Sequence, residues 1–197
     1  MEELGVRAAH AHHVGRILSR LDELALRENT IVVFTSDHGE WLGEHLRYGK
    51  GYPAHDCVSA VPLIIRCPAG MAPAGRTIGE IVEAVDVLPT LLEYCAVPIP
   101  RYLQGRSLVG LMDAPESPGR RSALTELTGI KILRTERFRY IAHADGREEL
   151  YDLDRPFGEY QDVAGEQAYA ESLAEVRAEL VRRMIEMERP LPRTWPY

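Results

Sequence analysis

Asp37 and His38 stand side by side in Thr35-Ser36-Asp37-His38-Gly39-Glu40, directly after the apolar run Ile31-Val32-Val33-Phe34. A carboxylate oxygen and a neutral imidazole nitrogen are both metal ligands, and Gly39 lets the backbone bend sharply with no Cβ crowding a bound ion or anion. Lys50 follows between Gly49 and Gly51, where its point charge could meet an oxygen of a sulfate or phosphate group. Two ligands do not complete a shell. Calcium takes about six or more oxygens and magnesium or manganese an octahedron, so most of the coordination has to come from elsewhere. Spacing alone is equally compatible with a strand-ending turn and a solvated lysine.

The elements around these residues set where they can point. Ile31 to Phe34 is β-branched and aromatic, as in a strand covered on both faces, so its polar end is expected at the carboxyl edge of a parallel sheet, where open α/β folds bind ligands. Residues 6–27 carry Val6, Val14, Ile17, Leu18, Leu21 and Leu24 at three- and four-residue spacings, which predicts an amphipathic helix leading into that strand. Its His10, His12 and His13 offer at most the pair His10 and His13, because only positions three or four apart converge on a helix. A solvated helix face is the better reading of all three.

Pro68, Gly70, Pro73 and Gly75 mark turns, and a helix is expected from about Ile78 to Glu93, interrupted near Pro89. Residues 96–121, with Pro98, Pro100, Pro115 and Pro118, read as a linker over a surface. Four short segments, Ala123–Leu127, Lys131–Leu133, Arg137–Ala142 and Glu149–Leu153, then suggest a small antiparallel sheet with a turn at Asp145-Gly146. Leu173, Val176, Leu180, Val181, Met184 and Met187 form one stripe over residues 166–188, predicting a final helix that covers the sheet with its methionines in the core.

Composition bounds the reading. At 197 residues, 45% hydrophobic and 27% charged, the chain can fold as one ordinary domain, or as part of one with an appendage. A net charge of −7 and scattered arginines argue against a nucleic-acid surface. No apolar run approaches the length of a membrane span, and Met-Glu-Glu-Leu-Gly-Val-Arg lacks the pattern of a signal peptide. Three cysteines, Cys57, Cys67 and Cys95, form an odd set with no Cys-x-x-Cys, which favours buried, inert thiols and a cytoplasmic address.

Asn29 through Glu40, followed by Leu42-Gly43-Glu44-His45 and Gly49-Lys50-Gly51, resembles the second half of a sulfatase in the alkaline-phosphatase-like superfamily. Further resemblances keep the family's order. They are Val61 to Pro68, Asp86-Val87-Leu88-Pro89-Thr90-Leu91-Leu92, Val97-Pro98-Ile99-Pro100, Gly105-Arg106-Ser107-Leu108, Arg134 to Ile141, and Glu149 to Leu153. The fold this implies is α/β: part of an alkaline-phosphatase-like mixed sheet flanked by helices, then a small antiparallel sheet packed on a C-terminal helix. Residues 1–112 would be the C-terminal part of the catalytic domain and residues 113–197 a small α+β subdomain.

The resemblance also implies roles. Asp37 and His38 would complete a divalent-metal site, usually calcium; Lys50 would contact the sulfate and the nucleophile; His55, in Tyr-Pro-Ala-His-Asp-Cys, would line the substrate cleft. The family's nucleophile is a formylglycine made from Cys-x-Pro-x-Arg or Ser-x-Pro-x-Arg, and this sequence contains neither pattern, nor the adjacent aspartates that supply further metal ligands. The chain therefore reads as the C-terminal portion of a sulfatase, with formylglycine expected only in an N-terminal half. Two classes of function follow: a sulfuric-ester hydrolase completed by that half, with phosphonate or phosphate esters as the related alternative, or a non-catalytic remnant or split subunit acting in assembly, for which a homo-oligomer is expected.

Overall fold

The computed structural model describes residues 2–114 and 116–188, with side chains from residue 11 onward, so Val6, His10 and Pro115 lie outside the described side chains. The chain divides into two compact units, and no helix among the described residues is long and apolar enough to cross a membrane.

The first unit comprises residues 1–35 and 62–76. The amphipathic pattern of the N-terminal segment forms α1, Glu2–Glu23, and the β-branched run after it forms β1, Val32–Thr35. The partner strand is β2, Leu63–Arg66, but the pairing is antiparallel, with Val32 opposite Arg66 and Thr35 opposite Leu63. This corrects the expected parallel sheet. The segment between the strands contains no long crossover helix, and β2 returns in the opposite direction, as an antiparallel pair requires. Among the described residues the sheet has two strands, so Phe34 and Ile64 stay 41% and 61% exposed rather than covered on both faces.

The second unit comprises residues 36–61 and 77–197, and its centre is a four-stranded antiparallel meander. Its strands are β3, Ser122–Leu127, β4, Ile130–Thr135, β5, Phe138–His143, and β6, Glu148–Asp152. Gly129 and Gly146, both at positive φ, make the tight turns that fix the register, the second being the Asp145-Gly146 turn legible in the sequence. Alternation along the strands sorts the core into two faces. Leu133, Phe138, Tyr140 and Leu150 face one way, toward Val163 and the residues Leu173, Val176 and Leu180 of the long C-terminal helix. Ile132, Ile141 and Tyr151 face the other way and pack with Trp41, Ala54 and Val58. Burying a large apolar side chain contributes roughly 1.5–3 kcal/mol, so both the helix and the loop carrying Trp41 add to the stability of the sheet.

The remaining helices are α2, Asp56–Ser59, α3, Val87–Tyr94, α4, Val109–Asp113, and the C-terminal α5, Ala170–Met187. Two expectations change here. The helix read from about residue 78 begins later, with a short 3-10 turn over Ala84–Asp86, and Pro89 sits in the first turn of α3, where its missing N–H costs nothing. On α5 the buried stripe runs Leu173, Val176, Leu180 and then Arg183, while Met184 is exposed. A three- and four-residue step from Leu180 reaches both positions, and the ion pair of Arg183 with Glu83, at 2.7 Å, selects Arg183 for the interior. Among the thiols, Cys57 and Cys67 are half-buried and Cys95 is exposed, so the expectation of three buried cysteines is not met.

Glu83 and Asp86 anchor a buried polar centre. Asp86 has no exposed surface and accepts from the Arg106 backbone N–H at 2.7 Å, from the Glu83 N–H at 2.9 Å and from both sides of the Arg120 guanidinium. Glu83 accepts from the Leu124 N–H of β3 at 2.7 Å and from Arg183 of α5, and so ties the edge of the sheet to two helices. Removing one member leaves the others charged and buried. Asp86→Ala is expected to lower unfolding free energy in urea titration by about 3–5 kcal/mol; a loss below about 1 kcal/mol, the level of an exposed pair, would contradict this account.

Asp152 predicts an acid dependence. The Arg137 guanidinium, at 2.8 Å, holds its carboxyl at about 2, below the ordinary 3.8, helped by the Tyr169 hydroxyl. A carboxyl whose folded pKa is depressed stabilises above its unfolded pKa and loses that contribution as pH falls through the folded one. Stability is therefore expected to fall as pH drops from about 4 toward 2, with a shallower fall in Asp152→Asn; equal slopes in the two proteins would exclude this carboxyl as a cause.

Candidate active site

Asp37, His38, Lys50 and His55 all belong to the segment that roofs the four-stranded sheet. The turn after β1 needs Gly39. A Cβ there would stand 2.1 Å from the Cys57 carbonyl oxygen, and the Gly39 N–H donates to the Val58 carbonyl at 2.7 Å. Two residues on, Trp41 is buried beneath the loop and its N–H donates to the Gly49 carbonyl at 2.9 Å, closing residues 41–49 into a loop that returns Lys50 to His38. Gly49 and Gly51, at φ 80° and 98°, supply the left-handed backbone on either side of the lysine.

Three functional groups converge there. His38 Nδ1 lies 2.8 Å from the Gly39 carbonyl, which makes Nδ1 the protonated nitrogen and leaves a lone pair on Nε2. Lys50 Nζ donates to that Nε2 at 2.9 Å, and Asp37 Oδ2 lies 3.5 Å from it. The His38 backbone N–H, donating to Asp37 Oδ1 at 2.9 Å, is the main reason the Asp37 carboxyl titrates below its usual range. Asp37 is exposed and ionised, and the Nδ1–H to carbonyl bond is the support that metal-binding histidines commonly use. An oxygen and a nitrogen bound to one divalent ion at adjacent positions stand about 3.0–3.5 Å apart, so the pair fits a metal in chemistry and in spacing.

His55 is placed differently, 2% exposed under the Trp41 loop. Its ring meets Trp41 and Tyr151 edge-on and stacks on His45, with centroids 4.3 Å apart and planes 7° from parallel. Tyr160 stacks on the other side of His45 at 3.9 Å. Behind these rings lies Arg139 of β5, whose side chain has no exposed surface. It donates to the Ala54 carbonyl at 2.8 Å, pairs with Asp56 and stands 3.4 Å from Glu159. Burial pulls the Arg139 pKa down, and Asp56 and Glu159 oppose that pull. For Glu159, burial alone would raise the pKa, but His55, Arg139 and the Asp56 N–H together bring it to about 2.

Tyr52, just past Lys50, donates its hydroxyl to Glu149 of β6, which also engages His143 at 2.8 Å and the Tyr151 hydroxyl at 2.5 Å. Burial and that carboxylate push the Tyr52 hydroxyl up to about 12. The sheet thus holds the loop at three places, through Trp41, Asp56 and Tyr52. None of these supports was legible as a functional residue. The only signal for Arg139 was a charged residue inside a dense aromatic and aliphatic run, Phe138 to Ile141.

Comparison with known proteins finds relatives for the chain. The sulfatase family model matches residues 11–97. The arylsulfatase of Clostridium perfringens is 28% identical over 181 residues, covering 88% of this chain and 37% of that protein. Among solved structures, the phosphonate monoester hydrolase of Silicibacter pomeroyi superposes with a TM-score of 0.82 at 30% identity, covering 92% of this chain and 40% of the other. A protein solved in complex with its substrate D-glucosamine-2-N,6-O-disulfate superposes with a TM-score of 0.79 at 28% identity, covering 90% and 38%. The chain thus spans well under half the length of the relatives it matches, and its mixed α/β fold, with the four-stranded antiparallel sheet and C-terminal helix, is theirs. By the family model over residues 11–97, its arylsulfatase relatives and its structural neighbours, the chain carries a sulfatase-family domain with the fold of the alkaline-phosphatase-like group that includes the phosphonate monoester hydrolases.

Proposed function

We propose that this chain supplies the metal-completing and anion-contacting part of a sulfatase-type active site that hydrolyses sulfuric esters. The observation that carries the proposal is the meeting of Asp37 Oδ2, His38 Nε2 and Lys50 Nζ, with the His38 tautomer set so that its free lone pair faces the other two. Asp37 and His38 would hold the ion, calcium by the family resemblance. When bound, such an ion supplies positive charge that orients and activates a nucleophile. That nucleophile, a formylglycine, and the remaining ligands belong in this reading to an N-terminal sulfatase portion, since neither Cys-x-Pro-x-Arg nor Ser-x-Pro-x-Arg occurs here.

Lys50 has a defined task in this scheme. One lone pair on His38 Nε2 cannot serve an ammonium and a metal ion together, so with Asp37 and His38 holding an ion the Lys50 ammonium would be available to an oxygen of the sulfate group. Charge developing on the transferring group is then offset by a donor already in place. His55, buried under the same loop, supports the loop that carries Lys50 rather than touching the ester itself. The likeness to a phosphonate monoester hydrolase favours phosphonate or phosphate esters as the second reading, because the same three groups suit either tetrahedral anion.

Three measurements check this. Alone, the chain is expected to hydrolyse no aryl sulfate; joined to the N-terminal portion of the Clostridium perfringens enzyme it should do so, and Asp37→Ala or Lys50→Ala should each reduce the rate by on the order of 10²–10³. Full activity in the joined Asp37→Ala protein would defeat the assignment. In the chain alone, paramagnetic Mn²⁺ should broaden the NMR signals of His38 and Gly39 selectively, and Asp37→Asn should remove the effect; broadening that survives the substitution places the ion elsewhere. Exposed Phe34 and Ile64 also predict self-association of the chain alone, reversed by adding the N-terminal portion, and light scattering showing a monomer throughout would contradict it.

A further inference from the structure

His45, His55 and Glu159 form a cluster separate from Asp37 and His38, and the active-site reading above leaves its chemistry unused. One donor atom from each lies within 4.8 Å of the others. His55 is 2% exposed, and its buried Nδ1 makes no hydrogen bond; the nearest acceptor, Glu159 Oε1, is 3.5 Å away. A buried imidazole nitrogen without a partner is costly. The distance is informative, because two ligands about 2.1 Å from a tetrahedral ion stand about 3.4 Å apart. His55 and Glu159 are therefore already spaced as two arms of a tetrahedral site, with the third arm beside them.

The surroundings fit a cation. The Asp56 N–H donates to Glu159 Oε1 at 3.3 Å and so orients it from behind, with the Arg139 guanidinium in ion-pair range, its Nε 3.4 Å away. Such outer partners are what hold a ligating carboxylate in place. The Arg139 charge, which would repel an ion, is also matched by Asp56, itself paired with Arg134 at 3.1 Å. Access comes from a surface pocket lined by Leu42, Gly43, Glu44, His45, Leu46 and Tyr160.

We propose that His45, His55 and Glu159 form a second metal site, selective for a borderline divalent ion of the Zn²⁺ class and distinct from the Asp37–His38 pair. Two imidazoles and one carboxylate suit such an ion, whereas the hard ions expected at Asp37 prefer oxygen. Parallel stacked rings cannot aim their lone pairs at one point, so binding turns the His45 ring out of its stack between His55 and Tyr160. The ion replaces that stack, and water takes the fourth position on the pocket side. Trp41, whose ring lies 5.5 Å from His45 and 5.7 Å from His55, reports the movement.

The test is a Zn²⁺ titration of the chain carrying Trp195→Phe, which leaves Trp41 as the only indole, followed by tryptophan fluorescence and calorimetry. The expected result is one Zn²⁺ bound with a change in Trp41 emission, weakened at least about tenfold in His45→Ala and in Glu159→Gln, and unchanged in Asp37→Ala and in His10→Ala/His13→Ala. Glu159→Gln preserves the shape of the buried side chain, and circular dichroism of both variants establishes that they fold. Equal affinity in folded His45→Ala or Glu159→Gln overturns the proposal, as does loss of binding in Asp37→Ala or in the double variant on α1.

Discussion

A guanidinium with no exposed surface sits at the centre of the second unit. Arg139 enters the interior from β5, and a charge there has to be matched by groups that the fold brings to it. Those groups are the Ala54 carbonyl, Asp56 and Glu159, and none of them lies on the sheet. Two belong to the segment that follows Lys50 and one to the turn after β6. Satisfying Arg139 therefore fixes where these two loops cross the sheet. Trp41 then fills the space beside Ile132, Ile141 and Tyr151, and the loop closed by the Trp41–Gly49 hydrogen bond can hold Lys50 against His38 in one place only. The geometry of the turn that carries Asp37, His38 and Lys50 follows from that buried charge.

The division of labour across the sheet explains why both faces are apolar. One face is covered by α5 in the ordinary way of an amphipathic helix. The other is covered by a loop, and a loop has many backbone groups to satisfy and few apolar side chains to offer. Here the loop manages with one large aromatic, three glycines at tight places and side-chain anchors at Asp56 and Tyr52. Rigid support under the loop keeps Asp37, His38 and Lys50 at fixed distances from one another. The Glu83–Asp86–Arg120–Arg183 network does the same for the edge strand and the helices, at a distance from the chemistry.

Much of this was legible in the sequence, for physical reasons. The four strands of the second sheet have period-two patterning and glycine turns, which are local signals, and the Leu173–Val176–Leu180 stripe is a local helical one. The glycines around Asp37, His38 and Lys50 are a local signal for a tight loop, and the structure brings these three side chains together in it. What local pattern could not convey is what covers each face. Arg139 alternates with Tyr140 as a solvent-facing residue would, and nothing near it in the sequence says that a loop nearly a hundred residues earlier will roof it. Arg183 replaced Met184 in the buried stripe because of an acid one hundred residues away. The antiparallel pairing of β1 and β2 was missed because a short apolar run carries no mark of its partner's direction.

The most direct test of this dependence is hydrogen exchange of the Gly39 and Trp41 amides in Arg139→Met, a substitution close to the original volume without the charge. If the buried guanidinium organises the loop, both amides lose protection while those of α5, on the far face of the sheet, keep theirs. Equal protection of Gly39 and Trp41 in the variant and the parent would contradict the account, since the loop would then hold its shape without the charge said to fix it.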